Sequence, residues 1–189
     1  TRYHYSNIGY EVAGMIAEEV GGMPLERLFE HRIIQPLGLT GAAYDPQGEI
    51  EGPHSRGYRV SADGGRVDAT AWHGGTGAEG GIVANAEDEA RFLMALMQGK
   101  LLRPAELTAL RTPASSIGSD YALGFVVAQS GCAGVDYEHG GAGPGFKTSV
   151  LTSGDGRRVA VLLANGNREN DPAYYARIDA AAKRLYCAA

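Results

Sequence analysis

Apolar residues fall at helical spacing near the start of the chain. Ile8, Val12, Met15, Ile16 and Val20 predict an amphipathic helix over 8–20. Asn7 precedes it as a candidate cap, and Gly21-Gly22 stops it. Pro24 opens a second helix through about Ile34, with Leu25, Leu28, Phe29 and Ile33 along one side, and Pro36-Leu37-Gly38-Leu39 ends it. The two form an αα unit. Residues 41–80 show no sustained period. Within them Tyr58-Arg59-Val60 reads as a short strand and Asp63-Gly64-Gly65 as a hairpin turn. Periodicity returns at 86–98, where Asn85 caps a helix and Asp88 stands three residues on, in the place a capping box would use. Ala90, Leu93, Met94 and Met97 are its inward positions. Gly99 closes it, and Pro104 starts a short helix through about Leu110.

The last third changes character. Tyr121 to Val127, Lys147 to Thr152 and Arg158 to Ala164 are short apolar runs divided by turn residues. Ser153-Gly154-Asp155-Gly156 lies between the last two and predicts an antiparallel pair. Pro172 opens a final helix through about Tyr186. Helices followed by strands and a covering helix make the fold class α+β, an antiparallel sheet covered by helices beside a mostly helical region. Residues 1–120 form the helical and loop-rich part, and 121–189 the strands and last helix. Three strands are few for a sheet, so partner strands are expected outside these residues and the fold is expected to be incomplete.

Composition narrows the function classes. The chain has 189 residues, a net charge of −5 and no basic run, which speaks against a nucleic-acid surface. It has no stretch of 18 apolar residues that would span a membrane. Glycine is abundant, 28 residues, about twice the usual share of roughly 7%, which points to turns and close backbone approaches. The glycine-rich stretches match neither a dinucleotide fingerprint nor a P-loop, there is no His-Glu-x-x-His, and no cofactor or metal site is expected. Cys132 and Cys187 either close one long loop or stay as two thiols. A disulfide would imply an exported protein.

Two short segments carry candidate chemistry. In Tyr5-Ser6-Asn7 the phenol could relay a proton and the amide could orient a carbonyl or a neighbouring lysine, although the tripeptide also reads as a packed tyrosine before a capping asparagine. In His139-Gly140-Gly141 an imidazole is followed by glycines that let a ligand approach the backbone, although a glycine-rich hairpin with a surface histidine has the same letters. Trp72, followed by His73-Gly74-Gly75, is a candidate wall of a cleft or a core plug.

Taken in order, these segments resemble the serine beta-lactamase-like hydrolases: class C beta-lactamases, D-alanyl-D-alanine carboxypeptidases of actinomycete type and related esterases. Tyr5-Ser6-Asn7-Ile8-Gly9-Tyr10 is similar to the Tyr-x-Asn segment, and Ile34-Gln35-Pro36-Leu37-Gly38-Leu39 to the helix end that follows it. Gly80-Gly81-Ile82-Val83-Ala84-Asn85-Ala86-Glu87-Asp88 is similar to the Gly-Gly segment. Tyr121-Ala122-Leu123-Gly124-Phe125, His139 to Phe146 and Val161 to Asn165 are similar to the C-terminal strands. The resemblance implies a penicillin-binding fold and a secreted or periplasmic acyl-enzyme hydrolase. Its substrate would be a D-alanyl peptide, a beta-lactam or a small ester. It implies catalytic roles for Tyr5, Asn7 and His139, with substrate-binding by Trp72 and by Gly140, Gly141 and Ala142, the backbone near Ala142 giving an oxyanion donor. It also places Cys132 and Cys187 where carboxypeptidase relatives have a disulfide.

The chain departs from that pattern. Ser-x-x-Lys lies upstream of Tyr-x-Asn in the family, and no serine in this sequence has a lysine three residues on. The expectation is therefore that the nucleophile belongs to a missing N-terminal segment, on the same or a separate chain, and that this chain alone is inactive. The Phe125 to Gln129 stretch also lacks the arginine that holds a terminal carboxylate, and Ala142 replaces a threonine or serine. Both favour an esterase or D-aminopeptidase as the alternative, and Lys147 is a candidate substitute for the arginine at a distance. A non-catalytic peptidoglycan- or penicillin-binding protein is the alternative outside enzymes.

Overall fold

In the computed structural model, residues 3–61, 63–71, 77–114, 119–132, 134–168 and 171–188 are described. Trp72 lies outside them. The order of elements is α+β, with antiparallel sheets and surrounding helices.

Helix α1 (Asn7–Gly21) begins one residue earlier than its apolar period. Its cap is Ser6, not Asn7: the serine hydroxyl accepts the Gly9 N–H at 3.2 Å, leaving Asn7 as the first helical residue. Gly22, at φ 65°, turns the chain out, its N–H bonding the Glu18 carbonyl. The helix does not bury its apolar stripe. Ile8, Met15, Ile16 and Val20 are 74, 67, 58 and 83% exposed, and the buried residue is Gly14, where a Cβ would fall 2.5 Å from that of Ala78. The second helix continues past Ile34. It runs as α2 (Leu25–Phe29), a π-turn (Glu30–Ile34) and α3 (Gln35–Leu37), ending at Gly38 with φ 63°.

The middle of the chain holds small sheets. Strand β1 (Ala43–Tyr44) pairs with β4 (Ile82–Val83), and β2 (Tyr58–Val60) pairs with β3 (Arg66–Asp68) as the expected hairpin. Helix α4 (Ala86–Met97) is capped by Asn85, whose side chain accepts the Asp88 N–H at 2.8 Å. Asp88 meets the cap through its side chain, accepting the Asn85 amide at 3.4 Å, and not through the backbone N–H that a capping box uses. It is buried and accepts the Gly41 N–H at 2.6 Å, tying α4 to the end of the second helix. Leu93 and Met97 face inward as expected, whereas Met94 is 39% exposed and Ala95 and Leu96 are buried instead. Helix α5 (Pro104–Arg111) follows.

The main sheet has four strands in the order β5-β6-β7-β8: β5 (Val126–Ala128), β6 (Asp136–Ala142), β7 (Lys147–Ser153) and β8 (Val159–Ala164). All neighbours are antiparallel. Strand β6 has no counterpart in the apolar pattern, and Tyr121 joins the sheet only through a bridge to Val126. One face packs on α4 through Leu93, Leu96, Met97, Phe125, Tyr137 and Val150. The other packs on α6 (Pro172–Ala188) through Leu151, Ala160, Ala182 and Tyr186. Burying apolar area on both faces is the main favourable term holding the layers together. The Cys132–Cys187 disulfide, with Cα atoms 5.3 Å apart, ties the β5–β6 connection to the end of α6. Strand β9 (Gly166–Asn167) runs parallel to β2, so the middle hairpin is hydrogen-bonded to the C-terminal strands.

Candidate active site

Three segments distant in sequence meet at one end of the main sheet: the entry to α1, the bend at Tyr121 and the second half of β6. Strand β5 pairs with residues 136–138 of β6 and stops, while β7 pairs with all seven residues through Ala142. From His139 to Ala142 the strand therefore has a ladder on one side only among the described residues. Gly140, Gly141 and Ala142 are solvent-exposed there. A strand edge with unmade backbone bonds and no side chains over two residues can accept a ligand in extended form and can aim N–H groups at a developing oxyanion.

His139 and Val150 are register partners and share a face of the sheet with Tyr137. The Tyr121 hydroxyl lies 3.1 Å from His139 Nε2, a hydrogen bond spanning 18 residues of sequence. The Tyr121 ring in turn stands edge-on to Tyr5, with centroids 5.9 Å apart, and 5.3 Å from Tyr3. Tyr121 thus connects Tyr5 to His139, two residues that sequence reasoning had selected, although it was itself read only as part of a strand. The signal that could have singled it out is a hydroxyl-bearing ring just before the bend at Gly124, which has φ 89°. Burial, followed by a hydrogen bond with Tyr10, pushes the Tyr121 hydroxyl far above the ordinary phenol range, so it stays protonated. Burial, and then the charge of Lys147, lowers His139 below the usual imidazole value.

Tyr5 is 54% exposed, and Asn7 is exposed at the first turn of α1. Tyr5 joins the cluster through its ring contact with Tyr121, and Asn7 stands two residues along the chain from it. The turn after Ala142 is held from behind. Asn167, buried, donates from its amide to the Gly143 carbonyl and accepts the Tyr175 hydroxyl at 2.7 Å. Gly145 and Gly57 approach so closely that a Cβ on Gly145 would lie 2.7 Å from the Gly57 carbonyl carbon. That contact, with the Tyr58 N–H to Gly145 carbonyl bond of 3.2 Å, seats the β2–β3 hairpin against the turn.

Lys147 does not serve the open side. It is buried against α6, 3.8 Å from Asp179 and 5.6 Å from the centre of the Tyr175 ring. It is thus unavailable as the carboxylate anchor that its place in the sequence suggested. No cluster of three metal-ligating side chains occurs among the described residues, and no described helix is long and apolar enough to cross a membrane.

The arrangement has one phenol beside α1, a protonated phenol bonded to an imidazole, an amide at a helix start and an open glycine strand. These groups can shuttle a proton and hold a carbonyl compound. None of them is an activated nucleophile.

Residues 1–184 match the family profile described as Beta-lactamase. The chain is 30% identical over 169 residues to the putative penicillin-binding protein PbpX of Bacillus subtilis, covering 86% of this chain and 40% of that protein. It is 28% identical over 152 residues to a putative D-alanyl-D-alanine carboxypeptidase of Escherichia coli O157:H7, covering 67% of this chain and 35% of that protein. Among solved structures, the D-stereospecific amidohydrolase of a Streptomyces species superposes with a TM-score of 0.80 at 27% identity, over 88% of this chain and 51% of that one. The chain spans 40% and 35% of the length of the two curated relatives and 51% of that of the amidohydrolase.

Proposed function

The chain belongs to the Beta-lactamase family, with its serine-hydrolase and penicillin-binding-protein fold, and from that membership we propose that it supplies one half of an acyl-transfer site. The reaction is hydrolysis of a D-alanyl peptide or a beta-lactam through an acyl-enzyme, in an exported protein. The observation that carries this reading is the Tyr5–Tyr121–His139 cluster facing the open strand edge from His139 to Ala142.

In this mechanism the nucleophile is the serine of a Ser-x-x-Lys segment outside these 189 residues. Its hydroxyl oxygen attacks the substrate carbonyl while its proton passes to a base at the lysine–Tyr5 pair. Asn7 and the backbone around Ala142 hold the carbonyl oxygen and the amide of the substrate. The proton is then delivered to the leaving nitrogen as the carbonyl–nitrogen bond breaks, and water releases the acyl group by the same steps in reverse. Two surfaces support a covering segment of this kind. The exposed stripe Ile8, Val12, Met15, Ile16 and Val20 on α1 is a large unpartnered apolar face, and β8 lacks a partner on its outer edge among the described residues. The Cys132–Cys187 disulfide supports an oxidising compartment. On this reading the 189-residue chain has no hydrolase activity by itself.

A specific observation favours a second reading, hydrolysis of D-amino-acid amides or small esters. Lys147 is sealed behind the sheet, and Phe125 to Gln129 carries no arginine, so this stretch offers no cation to a terminal carboxylate. The amidohydrolase likeness agrees with it. The full-length protein distinguishes the two. Release of D-alanine from a D-alanyl-D-alanine peptide at a higher kcat/KM than from D-alanine amide or a nitrophenyl ester supports the carboxypeptidase. The opposite order supports the amidase. No turnover of any of the three, by a folded full-length protein, removes the enzyme reading.

A further inference from the structure

We propose that Lys147 is a positioning residue for this site: from behind the strand, its ammonium keeps the His139 imidazole uncharged and so free to take either role in its hydrogen bond with Tyr121. The two residues occupy opposite faces of the same pair of strands. His139 is the register partner of Val150, and Lys147 that of Ala142. Alternation then sends the histidine to the side of Tyr121 and the lysine to the side of α6. The lysine's tip is not at the rim of the sheet. It lies directly beneath Gly140, where a Cβ would fall 2.7 Å from Nζ. Any side chain at 140 would therefore displace the ammonium, so the glycine next to the histidine has a reason apart from ligand access.

The lysine is also fixed there. Its side chain is 9% exposed, with Asp179 at 3.8 Å and the Tyr175 ring at 5.6 Å. A buried ammonium stays charged when a carboxylate and an aromatic face compensate its lost hydration. Here the compensation is partial, because Asp179 is about half exposed and just inside ion-pair distance. The remaining positive field acts through the thin glycine strand. A like charge disfavours protonation of the imidazole, in the same direction as the burial of His139 itself. A protonated imidazole would carry hydrogen on both nitrogens and could only donate to the Tyr121 oxygen. A neutral one can donate or accept there according to its tautomer, while burial and then the hydrogen bond with Tyr10 keep the Tyr121 hydroxyl protonated.

The titratable and charged groups around this arrangement are few. On the open side His139 meets Tyr121, with Tyr3, Tyr5 and Tyr10 beyond it. On the α6 side stand Lys147, Asp179, Glu138 and Lys183, and burial followed by Asp179 raises Glu138 while Lys183 opposes that rise. Asp179 thus bears on both faces of the argument: it holds Lys147 in place and partly cancels its field.

The test follows the His139 ring resonance by NMR as a function of pH in the full-length protein. Lys147→Met keeps the length and apolar stem of the side chain, and His139 titrates at higher pH in this variant. Asp179→Asn leaves the lysine charge uncompensated, and His139 titrates at lower pH. The acid limb of the kcat/KM profile moves with the titration in each case. A merely structural role for Lys147 would lower stability and leave the titration where it is. The proposal is overturned if Lys147→Met leaves the midpoint unchanged or lowers it, or if the two variants move it in the same direction. Should Lys147→Met not fold, Lys147→Gln, which keeps a polar tip beside Asp179 without the charge, is titrated in its place and is read in the same way. The proposal rests on His139 being a site residue. A correct pair of NMR shifts in a protein that hydrolyses nothing would leave the electrostatic linkage intact and remove the enzyme reading instead.

Discussion

Tyr186→Phe removes one oxygen atom from the centre of the C-terminal layer, and its effect can be worked out from the contacts around Asp136. That carboxylate is fully buried at the start of β6. Its Oδ1 accepts the Tyr186 hydroxyl at 2.5 Å, and its Oδ2 accepts the Ser130 N–H at 3.0 Å together with the Ser130 hydroxyl. Burial and the adjoining carboxylate raise the Tyr186 hydroxyl above the ordinary phenol range, so it remains a donor at all working pH values. The ring keeps its place in the variant, beside Leu151, Ala160 and Ala182, so the loss is the hydrogen bond and not the packing. A hydrogen bond to a carboxylate contributes roughly 1.5–3 kcal/mol, and a buried acceptor left without its donor puts the loss toward the upper end. At about 2–4 °C per kcal/mol for a chain of this size, the midpoint falls by roughly 4–12 °C. Calorimetry with the disulfide kept oxidised measures this, with Tyr5→Phe as the exposed control. In an Asp136→Asn background the same substitution loses about 1 kcal/mol, because the acceptor is then neutral. A drop below about 1 °C in the wild-type background, or an equal drop in the Asn background, would refute the assignment of this bond as the main tie between α6 and β6.

Three further outcomes follow from the same contacts. Replacing both Cys132 and Cys187 by serine opens a loop with a sequence separation of 55, and the chain-entropy relation puts the loss at about 4 kcal/mol, measurable by urea unfolding of the two forms. Burial raises the Glu89 carboxyl from 4.5 to about 7. The protonated form is thus favoured by folding, and its stabilisation is complete below pH 4.5 and lost as pH rises to 7. Glu89→Gln removes that dependence and stabilises the protein at pH 8 by up to about 3 kcal/mol, seen as a flattened plot of unfolding free energy against pH. A Cβ on Gly57 would enter the Phe146 ring, so Gly57→Ala destabilises by roughly 1–3 kcal/mol, whereas Gly64→Ser at an open turn position does so only through its φ of 86°.

The parts of the fold that follow from local rules were legible in the sequence. Period and caps predict α1, α4, α5 and α6, and turn residues predict the β2–β3 hairpin and the β7–β8 pair. Features set by tertiary contact were not. Strand β6 is Asp-Tyr-Glu-His-Gly-Gly-Ala, which has no apolar alternation and two glycines that weaken any local preference for a strand. It is extended because β7 pairs with every one of its residues. Asp88 looks like part of a local cap, but its carboxylate is taken by a backbone N–H 47 residues away. The apolar period of α1 gave the helix but not its environment, because a stripe at Ile8, Met15 and Val20 specifies a face without saying what covers it.

The candidate site was legible only in part, for similar reasons. Tyr5 and His139 stood out by resemblance, and their contact through Tyr121 depends on a chain bend no short motif encodes. The pairing of Cys132 with Cys187 was open on the residues alone and followed from the resemblance. Lys147, a candidate substitute for the missing arginine, faces α6 instead, because the face each residue of β7 takes is fixed by its register with β6, which the sequence does not state.

The central claim is that these residues complete an acyl-enzyme site around a serine located elsewhere in the protein. The most direct measurement is to label the full-length protein with a fluorescent penicillin or fluorophosphonate and to map the modified residue by mass spectrometry. The account predicts a single modified serine, three residues before a lysine, outside these 189 residues, with labelling slowed at least tenfold by Tyr5→Phe in a protein that remains folded. Modification of a serine within these 189 residues, or labelling that is indifferent to Tyr5, would contradict it.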